Sequence, residues 1–267
     1  MRIETLRFGD NLIHLLLAGA RAAVVDPGAA APVLDALRSL DAVLELILIT
    51  HHHGDHTGGC RELIRAYGPF VRAAQLDQAG AAHVCRSGGC RIVGPAGGPA
   101  LLDETVGDAA VITFGESAIE VLTVPGHTAY DVAYYLPELP AVFTGDTLFA
   151  CGCGRRFGGD AAVMWASLCR LRALPLATQV YGGHDYLHEN LQFAVALEPD
   201  NAAVRQRLRD FEQGGRDAAR DVSTIADECA TNPFLRCDTP EVARAVDMPG
   251  APPAAVFAEV RRRKDRW

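Results

Sequence analysis

The segment Thr50-His51-His52-His53-Gly54-Asp55-His56 concentrates four histidines and one aspartate in seven residues, directly after the apolar run Val43-Leu44-Glu45-Leu46-Ile47-Leu48-Ile49. A short apolar run bounded by a glycine-bearing turn predicts a buried strand. If extended backbone continues into the cluster, its period of two puts His51 and His53 on one side, roughly 7 Å apart, and turns His52 away. Gly54 permits a turn, and Leu63 with Tyr67 at helical spacing place Asp55 and His56 near a helix start. The pattern therefore demands a strand-to-helix corner carrying two pairs of metal-ligating side chains. A histidine-rich surface loop is the competing reading of such a cluster taken alone.

Recurrence argues against that loop. Pro125-Gly126-His127-Thr128 follows the strand-like Ala118 to Val124, Thr144-Gly145-Asp146-Thr147 follows Ala141-Val142-Phe143, and Gly182-Gly183-His184-Asp185 follows Gln179-Val180-Tyr181. Each is a short β run, a glycine that lets backbone approach closely, and one polar ligand. Four such strand ends facing one cleft can hold two metals.

The order of these motifs resembles that of the metallo-β-lactamase superfamily, with its His-x-His-x-Asp-His motif and three later ligands. The resemblance implies His51, His53 and His127 on one metal, Asp55, His56 and His184 on the other, and Asp146 bridging. It also implies an αββα sandwich for residues 1–184, with a small all-helical domain over 185–267. The donors are nitrogen and oxygen without thiolate, so two divalent ions are expected, zinc first, with iron or manganese as alternatives. A water shared by two metals becomes a hydroxide nucleophile near neutral pH while one ion polarises the attacked carbonyl, so hydrolysis is the default chemistry. Asp55 and Asp146 are the carboxylates expected to take part in it.

A narrower resemblance, to glyoxalase II (the hydroxyacylglutathione hydrolase family), extends over almost the whole chain. It rests on Val142 to Phe149, Gly152-Cys153-Gly154-Arg155, Val180 to Tyr186, Glu198-Pro199-Asp200-Asn201-Ala202, Thr231-Asn232-Pro233-Phe234-Leu235-Arg236 and the ending Val260 to Asp265. It implies hydrolysis of S-D-lactoylglutathione and related 2-hydroxyacylglutathione thioesters, the second step of methylglyoxal detoxification. Arg261 and Lys264 correspond to residues that hold the glycine carboxylate of glutathione, Arg155 to a family lysine, and Tyr186 to the family tyrosine after the last histidine. Glutathione thioesters carry two carboxylates, so a hydrolase specific for them needs fixed cations. The basic stretch Arg261 to Arg266 also suits a solvated helix end, where positive charge meets the helix dipole.

Departures from that pattern are few. Phe157 stands where the family has a tyrosine that contacts glutathione, which removes a hydroxyl and keeps the π face. Gly54 replaces a bulkier residue inside the metal motif, and Val222-Ser223-Thr224 stands where Pro-Ser-Thr is usual. The segment from about Phe70 to Cys90 reads as an insertion. Cys85 and Cys90 within it could pair or bind metal, but a lone CxxxxC lacks a second half-site. A mononuclear-iron persulfide dioxygenase resembles this chain through the metal motif, but its relatives lack the helical tail and the Arg-x-x-Lys ending. A β-lactamase would be expected to carry an export signal, and a non-catalytic binding protein would be expected to have lost a ligand.

A chain of 267 residues with 49% hydrophobic composition can bury a core without disulfide staples, so its eight cysteines read as packing thiols in a reducing compartment. The N-terminus alternates charged and apolar residues as an opening strand does and is no signal peptide. Leu12 to Ala18 is too short to span a bilayer. A net charge of −8 argues against general nucleic-acid affinity. A cytoplasmic monomer acting on a small glutathione thioester, with no membrane or nucleic-acid partner, is the expectation. Strands such as Ala22 to Asp26 alternate with helices at Pro32 to Leu40 and Ala161 to Leu171, the latter capped by Asp160. After Tyr186 the pattern is helical only, with Asn201 as a cap for a helix bearing Val204, Leu208 and Phe211.

Overall fold

The computed structural model describes residues 1–68, 89–157, 159–214 and 222–267. Two six-stranded sheets form the centre. The first comprises β1 (Arg2–Phe8), β2 (Asn11–Ala18), β3 (Arg21–Val25), β4 (Val43–Leu48), β5 (Arg91–Pro95) and β6 (Glu104–Val106), in that spatial order. Its first three strands are antiparallel, and β3 to β6 run parallel. The second comprises β7 (Val111–Phe114), β8 (Ser117–Thr123), β9 (Val132–Leu136), β10 (Ala141–Gly145), β11 (Gln179–Gly182) and β12 (Ser223–Thr224).

Alternation along the strands builds the layers. Leu16, Ala23, Val25, Leu46 and Leu48 point from the first sheet toward Val132, Tyr134, Leu136 and Phe143 of the second, forming the inter-sheet core. The odd partners Leu15, Leu17, Val24 and Ile47 face outward onto α1 (Ala30–Ser39) and α3 (Cys60–Tyr67), with Val33, Leu37 and Leu63 as the covering side chains. On the far side Ala133, Tyr135, Val142 and Val180 pack against α4 (Ala161–Arg172). Both faces of each sheet are thus covered, which explains why the central strands read as near-continuous apolar runs. The architecture is the expected αββα sandwich.

After the sandwich come α5 (Leu187–Leu197), α6 (Ala202–Gly214), α7 (Ile225–Thr231), α8 (Pro240–Ala245) and α9 (Pro253–Lys264), with a 3-10 turn at Pro233–Leu235. Local chemistry sets their starts. The Asp160 side chain accepts from Ala162 N at α4, Asn201 accepts from Ala203 N and Val204 N at α6, and Thr224 with Asp227 forms a reciprocal capping box at α7. Phe234, Val242, Val256, Phe257 and Val260 then join α4 and the second sheet in one continuous core. The tail is therefore packed onto the sandwich rather than tethered beside it.

Two expectations need correction. The tail is not purely helical, because Ser223 and Thr224 pair antiparallel with Val180 and Gln179 as an edge strand. Two residues carry too little periodicity to be read as a strand, and the partner edge alone makes them one. The first helix also starts two residues before Pro32, at Ala30. Cys85 and the insertion from Phe70 to residue 88 lie outside the described residues, whereas Cys90 is buried beside Cys60 and Leu63. Among the described residues no helix is long and apolar enough to cross a membrane.

Candidate metal centre

All seven sequence-derived ligands converge where the two sheets open at one edge. Strand β4 ends at Leu48, and the residues that follow are irregular. His53 is the extended residue before the one-turn helix α2 (Gly54–Thr57), with φ −62° and ψ 147°. The expected alternation therefore survives without a strand: His51 is buried, His52 is exposed, and His51 Nε2 lies 3.1 Å from His53 Nδ1. His127 Nε2 is 2.9 Å from the same Nδ1. Asp55 and His56 ride on α2, and His56 Nε2 lies 3.3 Å from His184 Nε2. The Asp55 carboxylate lies 3.5 Å from His184 Nε2.

These spacings, also within hydrogen-bond range, are close to what a shared ion requires. A tetrahedral metal with bonds of about 2.0–2.1 Å holds its ligand nitrogens about 3.3 Å apart. His51, His53 and His127 form one such set, and Asp55, His56 and His184 another. Asp146 lies between them, with Oδ2 3.4 Å from His127 Nε2 and Oδ1 3.3 Å from His56 Nε2. Oδ1 is buried and, among the described residues, accepts no well-aligned hydrogen bond, only the approach of imidazole nitrogens. A buried carboxylate oxygen left unpaired among imidazole nitrogens is costly unless a cation shares it.

Electrostatics agree with that reading. Burial, then the charge of neighbouring His56, pushes His51 well below the ordinary histidine range, and burial with His127 lowers His53, so both stay neutral as ligands must be. Burial also opposes charge on His56, yet Asp146 and Asp26 overcome it and hold that imidazole protonated. Burial likewise opposes charge on Asp146, but His56 and His184 keep its carboxyl well below the usual carboxylate range. Without a metal the balancing cation is therefore the His56 imidazolium, and metal uptake must expel its proton.

The outer nitrogens are tethered. His127 Nδ1 donates to Arg155 O at 2.7 Å, His51 Nδ1 lies 3.0 Å from Thr50 Oγ1, and His56 Nδ1 lies 3.0 Å from Asp26 Oδ2. Such contacts fix which nitrogen faces the ion. Asp26 was not among the sequence-derived candidates. A weaker signal was there, since Val24-Val25-Asp26-Pro27-Gly28 also puts a polar residue at a strand exit, but with the glycine after it rather than before. Asp26, which with His51 and His56 forms a further group of donor atoms close enough to share an ion, accepts from Thr50 N at 2.8 Å and Thr50 Oγ1 at 2.6 Å as well, bonds that suit it to orienting His56. Asn11 and Asp10 were also missed. Asn11 Nδ2 donates to Asp55 O, and the Asp10 carboxylate accepts from the Tyr186 hydroxyl 3.8 Å from His184 Nδ1.

A cavity of about 530 Å³ opens from the ligands and is also lined by Arg155, Phe157, Tyr186, Arg261 and Lys264. The expected substrate contacts therefore share one cleft with five of the seven candidate metal ligands, His53, Asp55, His127, Asp146 and His184. The ring of Tyr186 stacks on His184, 5.0 Å between centroids. Phe157 is 68% exposed and sets its edge against His53 and His127. Lys264 Nζ donates to Glu189 O and lies over the Phe193 ring; burial, then the charge of Arg261, pushes its pKa down to about 8. Arg261 is buried, donates to Cys153 O and Asp265, and stacks on Phe234, so much of its guanidinium is committed inside the protein. The cysteines supply no nucleophile: the seven described are free, and burial pushes Cys151 and Cys153 up to about 12 and about 11.

Residues 6–184 match the metallo-beta-lactamase superfamily, and residues 185–267 match the hydroxyacylglutathione hydrolase C-terminus. The chain is 45% identical over 260 residues to a hydroxyacylglutathione hydrolase of Methylococcus capsulatus, spanning 96% of this chain and 94% of that protein. A hydroxyacylglutathione hydrolase of Rhodospirillum rubrum is 40% identical over 265 residues, spanning 97% of this chain and 95% of that protein. Among solved structures, ETHE1 from Myxococcus xanthus superposes with a TM-score of 0.64 at 25% identity, spanning 98% of this chain and 90% of that one.

Proposed function

The chain belongs to the hydroxyacylglutathione hydrolase family of the metallo-β-lactamase superfamily, and from that premise we infer that it hydrolyses S-D-lactoylglutathione and related 2-hydroxyacylglutathione thioesters. The observation that carries this reading is the one cleft lined by His53, Asp55, His127, Asp146 and His184 from the candidate centre together with Arg155 and Lys264. In it, His51, His53 and His127 would hold one divalent ion, Asp55, His56 and His184 a second, and Asp146 would offer one oxygen to each. Zinc is the ion proposed, with iron and manganese as alternatives for a donor set of nitrogen and oxygen. When bound, the ions supply an acidified water as nucleophile and a Lewis acid for the thioester carbonyl.

The chain's own residues do the rest. Lys264 and Arg155 offer cations to the carboxylates of glutathione, and Tyr186 and Phe157 wall the cleft with aromatic faces. Arg261 lines the same cleft, holding the Cys153 carbonyl while presenting charge to substrate. Asp55, with 49% of its side chain exposed, is placed to take the proton released by the attacking water. The C–O bond forms first to give a tetrahedral oxyanion, and its collapse breaks the C–S bond, the thiolate leaving with that bond's electron pair. Thiols of this type have pKa values near ~8.5, so departure needs little help from an acid. We further propose residues 1–184 as the catalytic unit, 185–267 as the unit completing the cleft, and the cytoplasm as the compartment, the last supported by the free thiols.

The test is steady-state hydrolysis of S-D-lactoylglutathione with metal content measured on the same sample and oxygen uptake followed with glutathione persulfide. Rapid cleavage with about two ions per chain supports the reading. Oxygen uptake with one iron and no thioester cleavage overturns it.

A further inference from the structure

We propose that Glu228 is a positioning residue through which the helical tail sets the ligand His127 and the backbone of Asp146. It acts on the segment Ala150-Cys151-Gly152-Cys153-Gly154-Arg155, which lies between β10 and α4. Four consecutive residues of that segment are each held by a different side chain from beyond residue 184. Asn190 Nδ2 donates to Ala150 O at 3.1 Å, Cys151 N donates to Glu228 Oε2 at 2.8 Å, Asn232 Nδ2 donates to Gly152 O at 3.0 Å, and Arg261 Nη1 donates to Cys153 O at 2.8 Å. The next two residues turn toward the centre: Gly154 N donates to Asp146 O at 2.9 Å, and Arg155 O accepts from His127 Nδ1 at 2.7 Å. One short stretch of backbone thus joins the tail to two of the candidate ligands.

Glu228 is the hub of the grip. Its side chain is fully buried, and Arg207 Nη1 at 2.9 Å, Asn232 Nδ2 at 2.7 Å and the Cys151 amide surround it with donors. A buried ion pair is weak support for stability as such, because desolvation offsets the attraction, so its use is more readily sought in fixing one arrangement. The arrangement fixed here is unusual: Cys151 has φ 57°, a left-handed backbone that L side chains rarely adopt. Its amide, held by the carboxylate, keeps the segment turned so that Gly154 and Arg155 reach the centre. This also accounts physically for two motifs that ligation leaves unexplained, Gly152-Cys153-Gly154-Arg155 and Thr231-Asn232-Pro233-Phe234.

The inference rests on the reading of His51, His53 and His127 as metal ligands. Its test is zinc affinity of the full chain by chelator competition, with melting temperature measured alongside. Glu228→Gln should weaken the ion assigned to His51, His53 and His127 by about 10–100-fold, the range seen when the partners of metal ligands are removed, and the second ion, which shares Asp146, by no more than that. Val242→Ala, in the same core as Cys153 but making none of these hydrogen bonds, should lower the melting temperature without changing either affinity. Wild-type affinities for both ions in Glu228→Gln, whatever its melting temperature, overturn the proposal, as do equal affinity losses in Val242→Ala. Should Glu228→Gln not fold, Asn190→Ala carries the same test on the Ala150 carbonyl, with wild-type affinity again the overturning result. Wild-type protein that binds no zinc would instead overturn the ligand assignment itself.

Discussion

Asp26 follows β3 at φ 50°, a backbone position uncomfortable for any residue with a Cβ, and there its carboxylate accepts from Thr50 twice and from His56 Nδ1. The last contact keeps the His56 proton on Nδ1 and frees Nε2 for a ligand role. Asp26→Asn tolerates the left-handed backbone but presents an amide N–H to His56, which favours the wrong tautomer. We expect about 10–100-fold weaker binding of one metal, read by chelator competition, and unchanged binding would remove Asp26 from the centre. Lys264 gives a pH signature. Its pKa lies at about 8, so its ammonium is present below that pH and is lost as pH rises through it. KM for a glutathione thioester should therefore climb above pH 8, by up to about tenfold per pH unit. Lys264→Ala should show a raised KM with no such climb, while a thioester lacking the glycine carboxylate should be indifferent to both changes. Equal effects on the two substrates would exclude Lys264 from the substrate site.

At the scale of elements, the ligands sit on the exits of strands rather than in them. β4, β10 and β11 stop, and within a few residues His51, Asp146 and His184 appear, because a sheet's regular hydrogen bonding cannot aim side chains at a point. Glycines at those exits permit the convergence. A Cβ on Gly154 would lie 2.2 Å from Asp146 O and 2.9 Å from His127 Nδ1. Neither neighbour is a flexible side-chain end, so Gly154→Ala must shift the segment or the ligands. A fall of at least about 100-fold in kcat/KM is expected, given what a displacement on the order of 1 Å costs catalysis. Near-normal turnover would show that the segment can move without consequence. Gly183 is confined similarly, its Cβ meeting Asp146 Oδ1 at 2.7 Å.

At the scale of the whole molecule, the centre ties two sheets together. His51, His53, Asp55 and His56 follow β4 of the first sheet, whereas His127, Asp146 and His184 follow β8, β10 and β11 of the second. Ions shared across that edge would resist separation of the sheets. Linkage gives about 4 kcal/mol for a ligand present at a thousand times its Kd. For a chain of this size that corresponds to a fall in melting temperature of roughly 8–16 °C on chelation. Calorimetry with and without chelator measures it, and coincident melts would mean that the sandwich holds its edge shut unaided. The tail contributes in the same way, since Phe234, Val256, Phe257 and Val260 complete the outer core of the second sheet.

The clustering of the seven candidate ligands and the alternation of strands and helices were legible in the chain itself, and the αββα layering followed from its resemblance to a family. Metal chemistry limits the donors to a few residue types, and the strand ending in glycine and then a polar residue recurs with little variation. Helix starts at Asp160 and Asn201 were equally plain, because a cap is a local contact. Other features depended on distance along the chain. The two-residue strand Ser223–Thr224 exists through its neighbour β11, and the tethering of His56 by Asp26 spans 30 residues. The commitment of Arg261 to the Cys153 carbonyl spans 108, and the Glu228 grip on Cys151 spans 77. Periodicity and spacing report what a residue does to its near neighbours. Which carbonyl a distant guanidinium reaches, and which amide a buried carboxylate holds, is settled only when hydrophobic burial has brought the layers together.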